Sequence, residues 1–120
     1  MMKIPINIWD DYHDDGVGKK QETFMCVESE IVQEKECLEV VLDWINKNVI
    51  LDGVRFWLFF NDTKLKYPML VGTEYESTLY QRWEIRIENL THVQREQLVK
   101  TLNQANLTRE GNPIYFFSES

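Results

Sequence analysis

The chain has 120 residues, 43% of them hydrophobic and 28% charged, with a net charge of −7. That length buries a core without staples, two cysteines make neither a disulfide framework nor a zinc site, and no stretch approaches the roughly 20 apolar residues of a membrane helix. Residues 1–60 carry 12 acidic and 6 basic side chains and residues 61–120 carry 8 and 7, an acidic field that repels phosphate and argues against nucleic acid as a partner. Met1 to Pro5 has no apolar leader core and the chain turns acidic by Asp10, so the expectation is a cytoplasmic protein with no membrane partner.

Ile4, Ile6 and Ile8 alternate with Pro5, Asn7 and Trp9, the period of a half-buried strand. Pro5 cannot donate to a ladder, which places this strand at a sheet edge. A polar loop with Gly16 and Gly18 follows, then a strand from Phe24 to Glu28. Leu38, Val41, Leu42 and Ile45 repeat with helical spacing inside a helix from about Val32 to Asn48, with Cys37 and Trp44 widening the stripe. Cys26 and Cys37 read as buried thiols. Val54 to Phe60 is almost continuously apolar between Gly53 and Asn61-Asp62, which reads as a strand covered on both faces.

Residues 61–78 form a long loop or hold a short strand around Met69 to Val71. Leu79 to Glu88 alternates cleanly, with Trp83, Ile85 and Ile87 facing one way. Thr91 to Gln94 matches a capping box ahead of a helix to about Asn106 that buries Leu98, Leu102 and Ala105. After the turn Gly111-Asn112-Pro113, Ile114 to Phe117 is the last strand.

Residues 21–57 laid on 81–117 without a gap share Gln21/Gln81, Glu28/Glu88, Glu36/Glu96, Leu38/Leu98, Leu42/Leu102, Asn46/Asn106 and Phe56/Phe116. Strand positions meet strand positions and helix positions meet helix positions, so the chain reads as one domain holding a β-α-β unit twice. The core repeats are 21–60 and 81–118, joined by 61–80. Two such units resemble the ferredoxin-like β-α-β-β-α-β sandwich, an α+β fold with an antiparallel sheet and two helices on one face. An extra N-terminal strand precedes it. In that fold the first repeat strand is central, so the added strand either extends an outer edge or changes the sheet order. The resemblance licenses no function, because the fold hosts many.

Asp11, His13, Asp15, Gly16 and Glu22 follow the spacing of a calcium loop, with histidine in place of one oxygen donor. A divalent cation held by Asp11, His13, Asp15 and Glu22, or a metal-dependent enzyme built on them, is the rival functional reading. Nucleophilic catalysis lacks a motif: there is no G-x-S-x-G and neither histidine is spaced to a serine or cysteine. No catalytic residue and no organic cofactor is expected.

The leading expectation is a small acidic, non-catalytic protein-interaction module, of the inhibitor or immunity type found in bacteria and phages, meeting a basic protein partner. Its surface would combine Asp14, Glu34, Glu36, Glu39 and Asp43 with the aromatics Trp57, Phe59, Tyr115 and Phe117. Each large aromatic withdrawn from water contributes on the order of 2 kcal/mol. The four are therefore expected to be covered by residues 3–9 and 61–78 or to join two copies in a homodimer.

Overall fold

A computed structural model describes residues 2–10, 22–27, 33–63, 66–68, 74–76 and 80–119. The elements run β1 (Ile4–Asp10), β2 (Glu22–Val27), α1 (Glu34–Asn48), β3 (Arg55–Thr63), β4 (Lys66–Pro68), β5 (Glu74–Glu76), β6 (Tyr80–Glu88), α2 (His92–Gln104), β7 (Thr108–Arg109) and β8 (Asn112–Glu119). The fold is α+β. Six strands form a mixed sheet in the order β3-β6-β2-β1-β8-β7, and β4 and β5 form a separate two-stranded one. The β1–β8 pairing is parallel and the others are antiparallel.

Apart from the two-residue β7 at its end, this order departs from the ferredoxin-like one in the place of β1. Removing β1 would leave β3-β6-β2-β8, the arrangement two tandem β-α-β units commonly adopt. Instead β1 is inserted between β2 and β8, with Ile6 opposite Val27 on one side and Phe116 on the other. The expected edge position of the first strand is thereby corrected. Pro5 is the second residue of β1 and lies beside Tyr115 of β8, one residue before Ile6↔Val27, the first β1–β2 pair among the described residues. Residues 4–10 are consequently a strand of the sheet, and of the expected cover Lys3, just ahead of it, sets its ammonium over Tyr115.

One face of the pleat carries Ile4, Ile6, Ile8, Met25, Val27, Ile85, Ile87, Ile114 and Phe116, all buried. Cys37, Leu38, Val41 and Ile45 of α1 and Leu98 and Leu102 of α2 belong to the same cluster, so both helices cover this face. The helix α2 opens with the expected capping box: the Gln94 amide donates to Thr91 Oγ1 at 3.2 Å and the Thr91 amide to Gln94 Oε1 at 3.0 Å. It ends at Gln104, short of Asn106, whose φ of 52° is a left-handed turn conformation. The β3 strand runs three residues beyond Phe60, and β4 and β5 occupy part of the 61–78 stretch; Met69 to Val71 lie outside the described residues.

Candidate functional site

The β3 strand is an end strand of the six-stranded sheet and among the described residues pairs only with β6, from Arg55↔Glu88 to Thr63↔Tyr80. Asp52-Gly53 turns the chain after α1, with Gly53 at φ 77°, and the Asn89 side-chain amide holds the Gly53 carbonyl at 3.2 Å. The run Phe56-Trp57-Leu58-Phe59-Phe60 that follows is rich in aromatics, which suit a pleated, half-buried surface. Phe56, Leu58 and Phe60 alternate toward the helices, where Phe60 meets the Trp83 ring at 5.1 Å. Arg55, Trp57, Phe59 and Asn61 take the opposite face.

On that helix-free face cations lie over rings. Arg55 stacks on Trp57 at 4.4 Å, and Arg86 lies between Phe24 at 5.0 Å and Phe59 at 5.2 Å. Phe59 remains 41% exposed and Phe60 44% exposed, so β3 is not the doubly covered strand its continuous apolar run predicts. Its free side has no strand partner among the described residues.

The other end of the sheet is closed differently. There, β7 pairs only with Asn112 and Pro113. Beyond it the Ile114 amide donates to the Leu107 carbonyl at 2.8 Å. Asn103 of α2 then imitates a neighbouring strand: its Nδ2 donates to the Phe116 carbonyl at 2.9 Å and its Oδ1 accepts from the Phe116 amide at 2.8 Å. The Ile114 amide and the Phe116 amide and carbonyl of β8 are thus spent inside the molecule. Tyr115 and Phe117 stack at 6.0 Å, with the Lys3 ammonium over Tyr115. Sequence reading treated the two aromatic pairs as equivalent; Asn103, an ordinary polar residue late in a helix, gave no signal that one edge is capped.

Between the edges runs a buried polar row. Register puts Phe59 beside Glu84, Cys26 beside Asn7 and Asn7 beside Phe117, and the Met25↔Ile85 pair brings Glu84 next to Cys26. Asn7, Cys26 and Glu84 are fully buried. Glu84 lies 2.9 Å from Arg86 Nε and accepts from Asn61 Nδ2 at 3.3 Å. Burial raises its pKa above the ordinary 4.5, while Arg86, Asn61 and Arg82 pull against that and Glu34 adds to it. Cys26 Sγ accepts from the Trp9 indole at 3.0 Å. Neither amide atom of Asn7 has a hydrogen-bond partner among the described residues. Burial likewise pushes the Cys37 thiol up to about 11, against the pull of Arg109, so it is an inert core group.

The acidic residues expected on the interaction surface are mostly engaged locally. Glu34 accepts from the Trp83 amide at 3.2 Å. Glu36 pairs with Arg109, Glu39 with Lys35 at 3.6 Å and Asp43 with Lys47 at 3.0 Å. The α1 face is therefore an interleaved surface more than a bare acidic patch. Asp14 and the metal candidates Asp11, His13 and Asp15 lie outside the described residues, as does the side chain of Glu22. Among the described residues no group of three or more His, Cys, Asp and Glu could hold a metal. The groove between the helix ends, lined by Val49, Leu51, Gln97 and Leu98, holds about 110 Å³, small for an organic ligand.

Comparison of the chain with protein-family models, with curated proteins and with solved structures finds no match.

Proposed function

We propose that the chain is a non-catalytic protein-interaction module that takes an extended segment of a protein onto the outer edge of β3 along Arg55–Phe60. One contrast carries this reading. The β8 edge is capped at Ile114 and Phe116 by Leu107 and Asn103, whereas β3 carries a run of aromatics with no lysine or proline among Arg55–Thr63, the devices that ordinarily guard an edge. Strand addition supplies affinity through backbone hydrogen bonds and specificity through alternate side chains. An incoming strand would lay one set of side chains against Trp57 and Phe59 and the other against Phe56, Leu58 and Phe60. The net charge of −7 favours a segment with basic flanks by steering its approach. Small inhibitor and immunity-type proteins are a class in which such a non-catalytic edge suffices.

Titration with extended peptides that alternate aromatic residues with lysine, followed by amide exchange along β3, tests the reading. Binding should slow exchange within 55–61, and Phe59→Lys should weaken it by about tenfold, or roughly 1.4 kcal/mol. Exchange within 55–61 that is the same with and without every peptide would overturn it.

A further inference from the structure

We infer that the groove between the C-terminal end of α1 and α2 receives Ile50 of a second copy of the chain, and lends Ile50 in return, about a twofold axis. This contact lies apart from β3 and does not depend on a segment being taken up there.

Beyond α1 the chain leaves the helix in an extended conformation, with Val49 at φ −111° and ψ 120°. Val49 and Leu51 line the groove and pack against the core. Ile50, between them, is 91% exposed, the most exposed large apolar side chain among the described residues. The facing wall is Gln94, Gln97, Leu98 and Thr101 of α2.

The chemistry of the groove selects an aliphatic side chain. Polar groups at its rim are already engaged: Gln94 Oε1 accepts from the Thr91 amide at 3.0 Å, and Thr101 Oγ1 donates to the Gln97 carbonyl at 2.8 Å. Val49, Leu51 and Leu98 offer only hydrocarbon. The volume is about 110 Å³. An apolar cavity of about 150 Å³ holds a benzene ring, so this smaller space suits the short branched side chain of an isoleucine.

A single exposed isoleucine is ordinary on a surface. One set beside a groove of its own size is a different case, because a knob and its hole then share one patch. Isologous pairing fills both grooves at once, whereas a foreign partner would have to bring a projecting aliphatic group and a recess for Ile50. Charge permits the approach here. The net charge of −7 pushes two copies apart, but the charged residues next in sequence to the groove lining are Asp52, Arg95, Glu96 and Lys100, two of each sign. Two such contacts are a small interface beside the roughly 1,600 Å² of a standard one, so the dimer is weak and forms at high protein concentration.

Crosslinking between copies reads the contact directly. Cys26 and Cys37 are buried, so Ile50→Cys, Gln97→Cys and Glu39→Cys each add one exposed thiol, the last on the outer face of α1 as a collision control. Under mild oxidation the mixed disulfide of Ile50→Cys with Gln97→Cys should form about tenfold faster than that of Ile50→Cys with Glu39→Cys. The wild type supplies a readout without a new thiol. Its amide resonances at 49–51 and 94–101 should shift as the protein is concentrated from roughly 50 μM to roughly 1 mM, and Ile50→Asp should abolish the shift. Equal rates for the two thiol pairs, or resonances that stay fixed over that range, overturn the inference. Shifts confined to 55–61 would place self-association on β3 and overturn it as well.

Discussion

Asn7 lies in the middle strand of the sheet with its side chain sealed from solvent and neither amide atom hydrogen-bonded among the described residues. A buried polar group in that state costs about 1–3 kcal/mol relative to a shape-matched apolar one. Asn7→Leu is therefore expected to raise stability by about 1 kcal/mol, measured as the urea midpoint at unchanged slope. A loss of stability would show that the amide has a partner in solution. Glu84 is the opposite case, a buried carboxyl whose proton is held more tightly when folded than when unfolded. The native state then binds more protons than the unfolded one between pH 4.5 and the raised folded value. Glu84's contribution is greatest below pH 4.5 and is lost as the pH rises through that window. Glu84→Gln keeps an acceptor for Asn61 and removes the titration. The wild-type stability minus that of the variant should fall as the pH is raised above 4.5. A difference that grows with pH would mean that the Arg86 ion pair outweighs burial.

At the scale of elements, the two ends of the sheet explain each other. Asn103 supplies β8 with the donor and acceptor a further strand would bring. Asn103→Ala leaves the Phe116 amide and carbonyl unsatisfied, at a cost of about 1–3 kcal/mol in urea unfolding, and turns β8 into a second open edge. An unchanged midpoint would show that water replaces the side chain without loss. Alternation within β1, β2 and β6 and the helical stripes of α1 and α2 were legible in the residues, because periodicity reports directly which side of an element is buried. The placement of β1 was not. Pro5 argues for an edge only if a proline near the start of a strand forbids a neighbour along the rest of it, and β1 pairs with β2 from Ile6 onward and with β8 from Ile4. The distinction between a capped β8 and an open β3 was also invisible, since it turns on one asparagine brought close by tertiary packing.

For the whole molecule, the insertion of β1 has a consequence that a plain duplicated unit would not have. Ile6 and Phe116 stand side by side although nearly the entire chain separates them. The sheet is therefore completed only when its first and last strands meet. The β1–β2 pair and the β3–β6 pair can form earlier, but the part of the core that holds Ile4, Ile114 and Phe116 waits for β8. Closing so long a loop costs entropy before any contact repays it. Removal of residues 112–120 should accordingly do more than shave an edge. It strips β1 of its parallel partner, exposes Ile4 and Ile6, and frees α2 from the Asn103 contacts to β8. The truncated chain is expected to lose its cooperative urea transition, with far-UV dichroism sloping instead of switching. The full chain should refold in a single phase of roughly milliseconds to seconds, as non-local sheets do. A truncated form that still unfolds cooperatively would mean that β2, β3, β6 and the helices fold alone and that β1 and β8 are added to a finished core.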